Sequence, residues 1–241
     1  MTQVWGHRGA SAYAPENTLP AFQLAVEQGA DGVEFDVQLS ADGRIVVIHD
    51  ETVDRTTNGH GAVADLTLAE LQSLDASAGK ADYSGARIPT LAEVLDLLTP
   101  TRLRINIELK NSIVRYPGME HKVLDHLRAF DLKKRVVISS FNHYSLQVVR
   151  SMKPGCTVGA LYSDPLVRPW RYAKDLGVDA IHPPFPAIVD RRFVRDSHKA
   201  GLKVRAWMVE GEDAFRRAFH WELDAIMTNT PDLALAVRSR R

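Results

Sequence analysis

The sequence predicts an α/β fold: a closed (β/α)8 TIM barrel with a small insertion after its second strand. Three observations lead there. Short β-rich apolar runs alternate with amphipathic helical stretches almost to the end, eight such units fit within 241 residues, and one connection is much too long for a simple crossover. Strand–helix alternation calls for parallel strands joined by crossover helices. An open doubly wound sheet is the structural alternative, but eight units in this length suit a closed barrel better. Residues 1–241 are read as one domain.

The elements follow in order. "QVWGH" (3–7) is the first strand, and a helix from about Thr18 places Phe22, Ala25, Val26 and Gly29 on one face. "DGVEFDV" (31–37) is the second strand and "RLRINIEL" (102–109) the third. A helix with Val123, Leu127 and Phe130 inward comes next, then "RVVISSF" (135–141) and a helix carrying Leu146, Val149 and Met152. "TVGALY" (157–162), "DAIHPPF" (179–185), "KVRAWMV" (203–209) and "LDAIMTN" (223–229) complete the strands, with a last helix from about Asp232.

Between the second and third strands lie a returning strand (44–49), the polar turn "DRTTNGHG", and two stretches that open alike, "TLAELQSL" and "TLAEVLDLL". Thr67/Glu70 and Thr90/Glu93 are capping boxes before leucines at helical spacing. The second stretch is expected to be the crossover helix. The remainder, about 51–88, is expected to form a small insertion over one end of the barrel.

Composition excludes several classes. Thirty basic residues balance thirty acidic ones, so no net field draws the chain to nucleic acid or an anionic membrane. A single cysteine, Cys156, rules out an intrachain disulfide and a cysteine-rich zinc site. No apolar run reaches the roughly 18 residues of a membrane span. The first ten residues lack the basic start and apolar centre of a signal peptide, so a cytoplasmic location without stable membrane association is expected.

The stretch "EFDVQLSADGRIVVIHD" (34–50) carries the first chemical signal. A two-residue turn at Asp42-Gly43 pairs positions that sum to 85, so that Asp36 faces His49. One face then holds Glu34, Asp36, Gln38, Ser40 and His49; the other holds Phe35, Val37, Leu39, Val46 and Ile48. Paired acids on a strand often mean only solubility. "INIELK" shifts the balance, because it sets Asn106, Glu108 and Lys110 against Ile105, Ile107 and Leu109 on a strand whose two faces are both buried in a barrel. A Glu108–Lys110 ion pair is the plain reading of that strand. Three carboxylates at neighbouring strand ends, Glu34, Asp36 and Glu108, also escape the cost of burial by sharing one hard divalent cation, Mg²⁺, Ca²⁺ or Mn²⁺.

His7 and Arg8 stand between Gly6 and Gly9, glycines expected to let a ligand approach the backbone. Arg8 offers a planar fork for phosphate, and His7 is a candidate acid/base partner for His49. "PENT" (15–18) reads mainly as a helix cap. His182 is a further candidate for the barrel mouth. The other histidines and Cys156 are expected to be surface or structural residues.

Taken together, "HRGASAYAPENTLPAF", "GADGVEFDVQLSADGRIVVIHDETVDRTTNG", "IPTLAEVL", "INIELK", "RAWMV" and "DAIMTNTPD" resemble the glycerophosphodiester phosphodiesterase family over nearly the whole chain. The resemblance implies a barrel with this insertion, one divalent cation (Mg²⁺ or Ca²⁺), and hydrolysis of glycerophosphodiesters to sn-glycerol 3-phosphate and an alcohol. It implies Glu34, Asp36 and Glu108 as metal ligands and His7 and His49 as the acid/base pair. Arg8 and Lys110 become phosphate or glycerol contacts, with Trp207 and Phe141 as pocket walls. Two departures from the family's habit, Glu210 after Trp-x-Val and Asn229 after Thr228, are expected to bear on the preferred alcohol and not on the chemistry. Lysophospholipase D activity is an alternative. A rival of another class is a Schiff-base aldolase using Lys110. Small water-soluble diesters are the expected substrates.

Overall fold

The computed structural model describes residues 1–240. Its strands are β1 (Gln3–His7), β2 (Gly32–Leu39), β3 (Ile45–Val47), β4 (Arg104–Leu109), β5 (Val136–Ser140), β6 (Thr157–Leu161), β7 (Ala180–His182), β8 (Lys203–Ala206) and β9 (Ala225–Thr228). All except β3 run parallel in the order β1-β9-β8-β7-β6-β5-β4-β2, and pairing of β1 with β2 closes the barrel. The helices between them are α1 (Leu19–Glu27), α2 (Leu68–Ser73), α3 (Leu91–Leu98), α4 (Met119–Ala129), α5 (His143–Ser151), α6 (Pro169–Leu176), α7 (Arg191–Lys199), α8 (Glu212–His220) and α9 (Pro231–Ser239). The sheet is therefore a closed (β/α)8 barrel.

Alternation along each strand divides two environments. Val33, Phe35 and Val37 on β2, with Ile105, Ile107 and Leu109 on β4, point outward into the main core beneath the helices. Their neighbours Glu34, Asp36, Asn106 and Glu108 are buried on the lumen side. Trp5, Val137, Ala225 and Met227 cluster lower in the lumen, with half-buried Trp207 packed against them. That apolar layer floors the polar end. Phe22, Val123, Leu127, Leu146 and Val149 are buried as the helical periodicity requires, whereas Val26, Phe130 and Met152 are only half-buried.

Both capping boxes form, at the starts of α2 and α3, with each threonine and glutamate satisfying the other's backbone N–H. The hairpin register differs from expectation. Val37 pairs with Val47, Gln38 with Val46 and Leu39 with Ile45, one residue out from the predicted pairing. The loop holds three residues, because Gly43 adopts a left-handed φ of 70° and the Ser40 and Arg44 backbones close around it. Val46 and Ile48 therefore leave the main core. They join Val53, Val63, Leu71, Ala76 and Ile88 in a separate apolar cluster beneath the insertion.

β7 stops at His182 because Pro183 and Pro184 bring no N–H to the ladder. His182 does not reach the mouth: it is fully buried in the lumen, where Arg205 Nη1 lies 3.3 Å from its Nε2. Gly159 on β6 makes room for that ring, since a Cβ there would lie 2.5 Å from His182 Nε2. Gly159→Ala should cost about 1–3 kcal/mol by overpacking, read as a lowered Tm with unchanged secondary structure.

Candidate functional site

The register brings the polar residues together. His7 pairs with Glu34 across β1 and β2, and Asp36 pairs with Glu108 across β2 and β4. Glu34, Asp36 and Glu108 are each at most 8% exposed, and one oxygen from each lies within 4.8 Å of the others. Burial, then repulsion from Asp36 and Glu108, pushes Glu34 well above the ordinary carboxylate range. Burial and Asp36 likewise raise Glu108 to about 8, although Lys110 opposes them. Three crowded carboxylates, of which Glu34 and Glu108 resist ionising, are the donor set that a hard divalent cation relieves. The residues present fit such an ion.

Two cations flank the cluster. Arg8 carries a left-handed φ of 57°; its backbone N–H donates to Glu34 Oε2 at 3.1 Å, and its Nε lies 3.3 Å from Asp36 Oδ2. Lys110 Nζ lies 3.4 Å from Glu108 Oε1 and 3.2 Å from His49 Nε2. Burial works against the Lys110 charge, but Glu108 and Asp36 hold its pKa above the ordinary value. A charged, paired ammonium lacks the free amine that Schiff-base chemistry requires.

The histidines sit in unlike settings. His7 Nδ1 is 2.9 Å from Asn229 Oδ1, and its Nε2 lies 3.9 Å from Glu34 Oε2. Burial, then the Arg8 charge, lowers the His7 pKa to about 4. An amide oxygen only accepts, so Nδ1 carries the proton and Nε2 keeps its lone pair. His49 sits one residue beyond the point where Ile48 N–H donates to the Asp36 carbonyl, so it does not face Asp36 as predicted. It reaches the site from the loop after β3. Gln38 Nε2 holds that loop through the carbonyls of Ile48, His49 and Asp50, at 3.2, 3.0 and 2.6 Å. His49 Nδ1 is 2.6 Å from Asp50 Oδ1, a carboxylate that Arg55 and His49 hold well below its usual range against the pull of burial.

Several residues in this arrangement are not legible as site residues in the sequence. "PENT" is more than a cap: Thr18 makes no side-chain cap bond, and its hydroxyl donates to the Pro15 carbonyl. Glu16 instead accepts from Arg8 Nη1 at 2.8 Å and from both terminal nitrogens of Arg55 at 2.7 and 2.8 Å. Burial opposes its charge, yet Arg55 and Arg8 hold Glu16 at about 2. Asn17, at a left-handed φ of 58°, donates to Asp36 Oδ2 at 2.9 Å. Asn229 corrects a second expectation, since its bond to His7 brings the departure at that position into direct contact with the proposed chemistry. Glu210 reinforces it by accepting from the Asn229 N–H at 2.6 Å and the Thr230 hydroxyl at 3.1 Å.

Gly6 and Gly9 do not open the backbone to a ligand. A Cβ on Gly6 would meet the Gly9 carbonyl at 2.8 Å, and one on Gly9 would meet Ala21 of α1 at 2.6 Å. They pack chain against chain. Phe141 and Trp207 do come together, edge to face with ring centroids 5.6 Å apart, and Trp207 Nε1 donates to the His182 carbonyl at 2.8 Å. Cys156 is buried on the far side of the sheet's chemistry, its thiol pushed up to about 11 by that burial.

A parallel barrel whose strand ends gather three carboxylates, a guanidinium, an ammonium and two imidazoles defines a class: a barrel enzyme whose acidic cluster could hold a metal ion beside two side-chain cations. The model of the Glycerophosphoryl diester phosphodiesterase family matches residues 7–233. The chain belongs to that family, and with it to the enzymes that hydrolyse glycerophosphodiesters. It is 45% identical over 232 residues to a glycerophosphodiester phosphodiesterase of Caldanaerobacter subterraneus subsp. tengcongensis, covering 96% of this chain and 95% of that one. It is 41% identical over 241 residues to another from Bacillus altitudinis, covering 99% and 98%. Among solved structures, an Oleispira antarctica phosphodiesterase in complex with the product sn-glycerol-3-phosphate superposes with a TM-score of 0.86 at 31% identity, covering 99% of this chain and 97% of that one. A glycerophosphodiester phosphodiesterase of Agrobacterium tumefaciens gives the same TM-score at 32% identity, with 98% and 100% covered.

Proposed function

We propose that the chain hydrolyses glycerophosphodiesters to sn-glycerol 3-phosphate and an alcohol by His/His acid–base catalysis at a metal-assisted site. The observation that carries this reading is the buried Glu34–Asp36–Glu108 cluster, which His7 Nε2 approaches at 3.9 Å from Glu34 and which Lys110 bridges to His49 Nε2. These three acids would hold one divalent cation, Mg²⁺ or Ca²⁺. Bound there, such an ion supplies Lewis-acid polarisation of the phosphoryl group. Arg8 and Lys110 bind the phosphate oxygens and counter the charge that develops on them. His7, with a lone pair on Nε2, takes the proton of the attacking oxygen: either water, which gives sn-glycerol 3-phosphate directly, or the glycerol 2-hydroxyl, which gives a cyclic phosphate that water then opens. His49 protonates the departing alkoxide, and the Asp50 carboxylate balances the ring while it is charged. Trp207 and Phe141 wall the glycerol. A close relative in fold holds sn-glycerol-3-phosphate as product, which supports this half of the substrate as the recognised one.

The test is a panel of glycerophosphodiesters with coupled detection of sn-glycerol 3-phosphate, before and after EDTA. Activity should vanish with chelation and return with Mg²⁺ or Ca²⁺. Turnover indifferent to EDTA sinks the metal-assisted reading, and absence of sn-glycerol 3-phosphate sinks the substrate. Selectivity should fall on the glycerol rather than on the alcohol.

Arg55 supports His49 at one remove. Its Nε and Nη2 donate to Asp50 while Nη1 and Nη2 reach Glu16, so it ties the insertion to the acid that orients His49. Arg55→Ala should lower kcat by about tenfold with little change in KM. Arg55→Lys should recover only part of that, because an ammonium cannot reproduce the fork.

A further inference from the structure

Large hydrophobic side chains are exposed almost wholly on one face of the barrel. Apart from Met1, each lies in a loop leaving the C-terminal end of a strand or in the first two turns of the helix that follows. Among the described residues, the connections at the opposite end expose none. The most exposed are Val167 after β6 at 92%, Val189 after β7 at 78%, and, at 77% each, Ile113 after β4 and Tyr144 in the first turn of α5. Leu166 and Met208 join them, and Met208 directly follows the Trp207 wall. The insertion rises after β2, so these tips form a crescent along the other side of the mouth.

Cations accompany the tips. Arg115 stands two residues after Ile113, Arg168 directly follows Val167, and Arg171 lies in the first turn of α6; all three are exposed. Among the described residues, none of the three is ion-paired with an acid. Apolar tips beside unneutralised guanidinium groups match the boundary of an anionic bilayer, where the tips enter the acyl region and the cations meet lipid phosphates. A protein-facing patch of this kind would want a flat, continuous apolar centre, whereas Ile113, Val167, Val189 and Met208 stand in four separate loops.

We propose that this crescent seats the barrel mouth on an anionic lipid surface and so admits glycerophosphodiesters carried there, lysophospholipids included. The docking stands on exposure and charge alone; only the identity of the substrate rests on the functional reading above. Helix hydropathy is blind to such a surface, because no helix here is long and apolar enough to cross a membrane and the tips are dispersed over several loops.

The experiment is flotation of the full chain with vesicles of phosphatidylcholine alone or mixed with phosphatidylglycerol, run beside hydrolysis of soluble glycerophosphoethanolamine. Wild-type protein should float with the mixed vesicles, less so with neutral ones, and progressively less as salt rises. Val167→Asp combined with Val189→Asp should weaken partition by about tenfold or more, as should Arg115→Glu combined with Arg168→Glu. Both variants should keep wild-type turnover of the soluble diester, which also reports that they fold. Wild-type protein that hydrolyses the soluble diester but does not float overturns the docking and leaves the functional reading intact. Flotation without any diester hydrolysis keeps the docking and overturns that reading. Vesicle binding unchanged in both variants, or self-association in sedimentation that the same variants abolish, assigns the crescent to something other than lipid and overturns the proposal.

Discussion

Glu108→Gln should reduce kcat on the order of a thousandfold while leaving the metal-free protein at least as stable as wild type. The two halves have one cause. Without a cation, Glu34 and Glu108 are buried against Asp36 and against each other, and burial has raised the Glu108 carboxyl from 4.5 to about 8. A folded-state pKa raised above the unfolded value means that the fold binds a proton the unfolded chain has released. That contribution to stability is complete below about pH 4.5 and is lost as pH rises through about 8. Thermal unfolding in EDTA should therefore show the wild-type Tm falling across that window more steeply than that of Glu108→Gln, whose neutral amide has no proton to lose. Binding a cation reverses the balance, because the ligands must ionise to hold it. Affinity for Mg²⁺ or Ca²⁺ should rise with pH over the same window, with proton release measurable by calorimetry in buffers of different ionisation enthalpy. Equal cation affinity in wild type, Glu34→Ala, Asp36→Ala and Glu108→Ala would mean that these acids serve another purpose.

How much of this was legible in the sequence follows from how local each signal is. Strand alternation and the two Thr-x-x-Glu caps depend on neighbours a few positions apart, and those readings hold in β1 through β9 and at α2 and α3. Gathering Glu34, Asp36 and Glu108 needed only the alternation of two adjacent parallel strands. The hairpin register failed because Asp42-Gly43 serves a two-residue or a three-residue loop equally well. What decided it was Val46 and Ile48 finding a second apolar cluster under the insertion, which no pattern within the hairpin announces. Asn229 was beyond reach for a different reason. It meets His7 across 222 positions, where β9 closes against β1, and barrel closure is the one feature that strand patterns do not carry. Arg55 and Glu16 likewise find each other through the fold, across 39 positions. Their motifs were visible, but a charged residue in a polar turn has no sequence mark that separates a site partner from a solvated one.

Replacing either His7 or His49 by alanine should cost at least about a hundredfold in kcat, the lower range for loss of a positioned acid or base. The two losses should differ in kind. His7 donates Nδ1–H to an amide, which fixes the tautomer but cannot balance a charge on the ring. His49 faces the Asp50 carboxylate, which Arg55 in turn holds ionised. The acid role belongs to the ring beside the carboxylate, because Asp50 balances the charge that the ring carries once its Nε2, which accepts from Lys110 in this structure, has taken up the proton to be donated. Leaving-group chemistry separates the roles. A p-nitrophenyl ester of glycerol phosphate departs as a stable phenolate and needs little protonation, whereas glycerophosphoethanolamine departs as a basic alkoxide. With the phenyl ester, His49→Ala should regain most of its lost turnover, and His7→Ala should stay as impaired as on the natural diester. Recovery in His7→Ala instead would exchange the two assignments. Near wild-type turnover of both variants on both substrates would remove the histidines from the chemistry altogether, leaving the carboxylate cluster, Arg8 and Lys110 to account for hydrolysis without a proton carrier.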